Sequence, residues 1–185
     1  MVKKKTCIFI SGAGTNLKAL IKHSREYNFP INISCIVSNT TKAKGLNYAR
    51  LYKIPYYILN SNNQLNLELI LLKLKEKEIS LICLAGYMKI LKKKFINKYS
   101  GKIINIHPSL LPKYKGLDTF KRVLQASEKV TGCTVHYVNS KIDSGKIILK
   151  KKVYIKENDS EVSLKARVQQ AEYKTYAEAI IKINR

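Results

Sequence analysis

The chain has 185 residues, 45% of them apolar and 25% charged, with a formal net charge of +23. That length suits one domain with its own hydrophobic core, and no apolar run is long enough to cross a bilayer. The charge raises nucleic acid as a partner. Yet the lysines spread along the whole sequence, and runs such as Lys92-Lys93-Lys94 and Lys150-Lys151-Lys152 lack the interleaved aromatics that stack on bases.

The start, Met1-Val-Lys-Lys-Lys-Thr6, has neither the apolar stretch nor the cleavage site of a signal peptide, so a cytoplasmic protein is expected. Residues 7–10 form a short apolar run closed by Ser11-Gly12-Ala13-Gly14, and 16–25 then reads as a helix. A second strand is predicted at 31–37, a helical stretch at 42–52 and a short strand at 55–59. Leu67, Ile70, Leu71 and Leu74 recur at helical spacing within 64–77, with charged residues on the outer face. Residues 81–85 are apolar throughout, as in a strand covered on both faces.

Residues 102–106 give another strand, and the prolines and glycine of 108–116 require a loop. Strands at 131–138 and 147–155 lie close enough in sequence to pair antiparallel, joined through Asp143 and Gly145. A closing helix is predicted at 161–182, capped by Ser160. Strand-helix alternation predicts an α/β fold: one domain over 1–185, with an open, mostly parallel twisted sheet, helices on both faces and late antiparallel strands.

Cys7, Cys35, Cys83 and Cys133 are widely spaced, with no Cys-x-x-Cys pair, so buried reduced thiols are expected rather than a metal or disulfide framework. His23, on an early helix, is read as exposed, and His136 as strand packing. Three scattered histidines do not suggest a metal site.

Ser11-Gly-Ala-Gly-Thr-Asn-Leu17 falls at a strand-to-helix turn, where free N–H groups at a helix start favour an anion. Leu17 stands where the dinucleotide fingerprint needs a small residue, and the second strand ends in Ser38-Asn39 instead of a ribose-binding acid. What remains is either a structural turn or a cradle for one phosphate, with Thr15 and Asn16 able to add side-chain hydrogen bonds.

Asn105-Ile-His-Pro-Ser-Leu-Leu-Pro112 carries the chemistry. Asn105 and His107 are two residues apart on one strand and so share a face, at the carboxyl end where open parallel sheets place ligands. They are either a hydrogen-bonded strand-end pair or part of a reaction centre. Asp143, in the turn Ile142-Asp-Ser-Gly145, is a candidate third member that would orient His107 and favour its imidazolium form. Without a serine or cysteine nucleophile, this set suits direct transfer. An amine attacks a carbonyl-type carbon, Asn105 and protonated His107 donate to the developing oxyanion, and Asp143 helps move the proton.

Ile10-Ser-Gly-x-Gly-x-Asn-Leu17, Leu84-Ala-Gly-Tyr-Met-Lys-Ile-Leu91, the Asn105 run and Ala166-Arg-Val-Gln-x-x-Glu172 together resemble the glycinamide ribonucleotide transformylase family of folate-dependent formyltransferases, in order and nearly over the whole chain. The resemblance implies formyl transfer from 10-formyltetrahydrofolate to the amine of 5'-phosphoribosylglycinamide in purine biosynthesis. It implies Asn105, His107 and Asp143 as the catalytic triad and Gly14, Thr15 and Asn16 as the phosphate loop. Gln169 and Glu172 would hold the rest of the ribonucleotide. Met88, Lys89, Ile90 and Leu91, with Asn105, Asn139, Ser140, Lys141, Ile142 and Asp143, would wall the folate site, with no metal. Against the family pattern, Ser144 stands for a usual Gly and Lys146 for a common Pro, so the loop carrying Asp143 is expected to be shaped differently, and Lys89 stands for a frequent Arg, which loses the planar fork for carboxylates.

Methionyl-tRNA formyltransferases share the Asn105 run but add a domain after it, and formyltetrahydrofolate deformylases add one before it and tend to have His at the place of Pro108. A polyanion-binding protein on a decayed enzyme scaffold is the alternative of another class. The expected partners are therefore the small-molecule substrate and the folate, not nucleic acid or a membrane, with the protein a monomer or homodimer.

Overall fold

The computed structural model describes residues 2–60 and 62–185. The chain runs β1 (Lys4–Ile10), α1 (Thr15–Ser24), β2 (Ile31–Ser38), α2 (Leu46–Leu51), β3 (Tyr56–Ile58), α3 (Gln64–Glu76), β4 (Leu81–Leu84), α4 (Lys93–Lys98), β5 (Lys102–His107), α5 (Thr119–Gln125), β6 (Val130–Tyr137), β7 (Ile147–Tyr154) and α6 (Glu161–Lys182). The seven strands lie in the order β3-β2-β1-β4-β5-β6-β7. β1 pairs parallel with β2 and β4, and β2 with β3, whereas β6 and β7 pair antiparallel. A mixed, mostly parallel sheet flanked by helices is the architecture that the alternating pattern predicts.

Two helices lie beyond that reading. α4 and α5 are 6 and 7 residues long and bury little, Phe95 in the first and Thr119 and Val123 in the second. Elements this short do not complete an apolar period, so composition alone reads them as loop.

The chain divides into two compact units, one ending at Ile104 and the other beginning at Asn105. In the first, Cys7, Ile8, Phe9 and Ile10 of β1 are fully buried. β1 is a central strand with a parallel neighbour at each edge and both faces covered, and each large apolar side chain so buried contributes about 1.5–3 kcal/mol. Phe9 meets Tyr87 edge-on at 5.4 Å and Phe95 at 5.8 Å. Burial of the Tyr87 hydroxyl pushes its pKa up to about 12.

In the second unit, Leu164, Val168, Tyr176, Ala179 and Ile180 give α6 its buried stripe. Ser160 caps that helix as expected, and its side chain and that of Ser163 complete a reciprocal capping box. All four cysteines are buried and free. Among the described residues, no helix is long and apolar enough to cross a membrane.

Candidate active site

The glycine loop is held in the first unit by backbone groups and one hydroxyl. The Gly45 amide donates to the Gly12 carbonyl at 2.9 Å, and the Ser11 amide to the Gly86 carbonyl at 3.1 Å. Ser11 Oγ donates to Asn39 Oδ1 at 2.5 Å and accepts from the Met88 amide at 2.8 Å. Met88, whose segment walls the expected folate site, is thus tied to the same serine as the loop.

Gly14 has φ +74°, and a Cβ there would lie 2.6 Å from the Gly45 Cα. Only glycine satisfies both constraints. Gly12, by contrast, has nothing within 4 Å of a built Cβ. Gly14 is also the N-cap of α1 and supplies no side-chain cap, and the first turn carries no acid. The opening N–H groups therefore point at a place that suits an anion. Thr15 is half-buried there and Asn16 buried.

In the second unit, β5 ends in Asn105 and His107 on one face, and side chains from two other segments join them. His107 Nδ1 lies 3.3 Å from Asp143 Oδ2, and Asn105 Nδ2 donates to Asp143 Oδ1 at 3.5 Å. The structure thus brings Asn105, His107 and Asp143 together, and it adds His136. The Nε2 of His136 is 3.3 Å from Asn105 Nδ2 and 3.5 Å from Asp143 Oδ1.

The loop after β5 closes over the cluster by hydrogen bonds of its own. Thr134 Oγ1 donates to the Ser109 carbonyl at 2.6 Å and accepts from the Leu111 amide at 3.1 Å. His107 Nε2 faces the Tyr114 carbonyl at 2.8 Å, and the Gly116 amide donates to Asp143 Oδ2 at 2.9 Å. Since a carbonyl only accepts, Nε2 carries a hydrogen. Asp143 adopts φ +44° to reach this position, a conformation that aspartate tolerates better than most residues. Beyond it, a Cβ on Gly145 would fall 1.6 Å from the Tyr137 carbonyl oxygen, so the turn requires glycine.

Burial lowers the His107 pKa below the ordinary imidazole value, outweighing the upward pull of the Tyr114 carbonyl and of the Asp143 charge. The Asp143 charge thus works toward the imidazolium and burial works against it. Burial raises the Asp143 pKa, but contact with His136, the Gly116 amide and the charge on His107 together hold it below the usual carboxylate range. Both ring nitrogens of His107 face oxygen acceptors, so the geometry suits a doubly protonated ring beside an ionised Asp143, while burial opposes its charge.

Gln169 is half-buried and Glu172 buried, one turn apart on α6. Met88, Lys89 and Ile90 are exposed and Leu91 is buried. Asn139, Ser140, Lys141 and Ile142 are exposed. Ser144 Oγ accepts from Lys115 Nζ at 2.6 Å, which ties the turn carrying Asp143 to the loop after β5. His23 is half-buried instead of exposed, stacked on Phe29 with ring centroids 5.5 Å apart. Among the described residues no group of three or more His, Cys, Asp and Glu side chains is arranged to hold a metal ion.

His136 is the member of the cluster that the sequence conceals. β6 is buried on both faces, so alternation carries no signal there, and the pairing with β7 shifts register between Val135 and His136. A bulge of this kind re-aims a side chain. An imidazole inside a strand buried on both faces is the one local hint.

The model of the formyl transferase family matches residues 4–180. The phosphoribosylglycinamide formyltransferase of Haemophilus influenzae is 44% identical over 177 residues, covering 94% of this chain and 84% of that one. The human trifunctional purine biosynthetic protein adenosine-3 is 40% identical over 182 residues, 96% of this chain but 18% of that much longer protein. Among solved structures, phosphoribosylglycinamide formyltransferase from Anaplasma phagocytophilum superposes with a TM-score of 0.93 at 38% identity, covering 99% of this chain and 87% of that chain.

Proposed function

The chain belongs to the formyl transferase family, and from that premise we propose that it transfers the formyl group of 10-formyltetrahydrofolate to the primary amine of phosphoribosylglycinamide in purine biosynthesis. The observation that carries this reading is the convergence of an amide, an imidazole and a carboxylate at the end of β5, with Asp143 3.3 Å from His107 and 3.5 Å from Asn105.

The amine attacks the formyl carbon, a carbon–nitrogen bond forms, and negative charge develops on the formyl oxygen. Asn105 Nδ2 and the His107 ring are the donors for that oxygen, and removing one such donor costs about 10²–10³ in rate. Both are internally satisfied in the resting site, and the long Asn105–Asp143 contact, at 3.5 Å, is the one an incoming oxygen displaces most easily. Asp143, held ionised, takes up the proton that the amine releases, directly or through water. Collapse then breaks the bond to the folate nitrogen, which receives a proton.

The start of α1 suits the ribonucleotide phosphate, and Gln169 and Glu172 suit its amide and amine. For the folate, Met88 and Ile90 leave 64% and 68% of their surface exposed, apolar area of the kind a flat ring system covers. We read the protein as a single catalytic domain of the cytoplasm, a monomer or homodimer acting on small molecules and not on nucleic acid.

An absorbance assay with 10-formyltetrahydrofolate or its dideaza analogue tests this. Turnover that requires the ribonucleotide and disappears in Asp143→Asn supports it. A folded protein that binds the ribonucleotide but turns over no folate overturns it.

A further inference from the structure

Four side chains meet at the end of β5, and the proposed reaction uses three of them. His136 is almost wholly buried, at 2% exposure, in a strand otherwise lined by small and apolar residues. Placing an imidazole there without partners would be costly, and both of its nitrogens are in fact engaged. Nδ1 lies 2.8 Å from the Tyr137 carbonyl oxygen. That oxygen can only accept, so Nδ1 carries the hydrogen and Nε2 presents a lone pair.

The group nearest to that lone pair is Asn105 Nδ2, at 3.3 Å; Asp143 Oδ1 lies farther off, at 3.5 Å, and a lone pair there has only the amide to accept from. The same amide nitrogen faces Asp143 Oδ1 at 3.5 Å. Two acceptors therefore converge on one end of the Asn105 amide, and this decides which end is NH₂. Turned by half a rotation, the amide would set its oxygen against a carboxylate and a ring lone pair, two repulsive contacts in a site shielded from water. The bulge in β6 is what brings the ring there, since the register with β7 shifts between Val135 and His136.

We infer that His136 is a positioning residue: its Nε2, with the tautomer fixed by the Tyr137 carbonyl, holds the Asn105 amide with NH₂ toward the reacting oxygen. When the formyl oxygen displaces Asp143 from that NH₂, the bond to His136 stays and keeps the remaining hydrogen aimed at the oxyanion. His136 touches no reacting atom and acts through Asn105. The inference rests on the functional reading above for its kinetic consequence, but its structural content does not.

The test joins two readouts. In imidazole nitrogen NMR of the labelled protein, His136 is expected with Nδ1 protonated and Nε2 bare, and the Nε2 resonance should move in Asn105→Ala. Kinetically, His136→Phe should lower kcat about 5- to 10-fold, the range for loss of one hydrogen bond, with KM for the ribonucleotide changed less than about twofold. His136→Gln, whose side-chain oxygen can accept from Asn105, should recover most of that loss and guards against a variant that merely misfolds. In the Asn105→Ala background, His136→Phe should have no further effect, because the group it acts through is gone.

An equal fold-loss in both backgrounds, or a proton on Nε2, would overturn the inference and leave His136 a packing residue. Failure of the wild-type protein to transfer a formyl group would sink the functional reading instead, and the NMR result would then decide the positioning on its own.

Discussion

The glycine loop after β1 and the polar cluster at the end of β5 are built from opposite materials. The loop is made of backbone: Gly45 on Gly12, Ser11 on Gly86, and a left-handed Gly14 that approaches the Gly45 backbone too closely to carry a side chain. The cluster is made of side chains that satisfy one another, Asp143 taking contacts from His107, His136, Asn105 and the Gly116 amide. A backbone site tolerates changes of side chain but not of conformation. A side-chain site tolerates neither loss of a partner nor loss of the loop that delivers it.

The sharpest break falls on the cluster. Asp143→Asn keeps the shape and removes the charge, and formyl transfer measured by folate absorbance should fall about 10²–10⁴-fold, the usual worth of a positioned acid–base group. Ribonucleotide affinity, measured by calorimetry, should stay close to wild type. If affinity fell as far as rate, Asp143 would be a binding group and not a proton acceptor.

Next in size, Gly14→Ala should destabilise the protein by about 2–4 kcal/mol in urea unfolding, combining a disfavoured φ with a contact that must move backbone. Gly12→Ala should change it by less than about 0.5 kcal/mol, as a surface substitution with open space around it. Equal effects of the two would show that the loop relaxes freely, and the backbone account would fail.

The cluster should also leave its mark on pH. The folded pKa of His107 lies below its unfolded value of about 6.5. Between the two values the unfolded chain binds the extra proton, so stability is fully present above about pH 6.5 and is lost as pH falls through that window. In His107→Asn, the stability–pH curve measured by thermal melting should lose this slope. A separate acid limb belongs to Asp159, whose pKa is held to about 2 by Arg167, the Lys156 amide and Ser163 against the opposing effect of burial. Its contribution is present above about pH 3.9 and fades only as pH falls toward the folded value.

Smallest of all, Ser144→Gly removes the exposed hydroxyl that holds Lys115 and should shift stability by less than about 0.5 kcal/mol. A much larger loss of activity than of stability would show that this tie sets the shape of the loop that presents Asp143.

Much of the molecule was legible in order along the chain. The apolar runs of β1, β2 and β4, the capped start of α6 and the turn after β1 are local patterns, and each lies where its pattern predicts. Asn105 and His107 share a face because a strand has a period of two. α4 and α5 escaped because they are too short to show a period, and His136 escaped because a strand buried on both faces does not alternate.

What the sequence alone determined is therefore whatever depends on neighbours a few residues apart: strand and helix identity, the glycine loop, the cap on α6 and the family to which the motifs point. Tertiary structure decided the rest. It placed Asp143 against a histidine 36 residues earlier in the chain, swung His136 in by a register shift, and lowered the pKa of His107. Burial sets that last quantity, and burial is a property of everything that folds around the ring, so no local pattern encodes it.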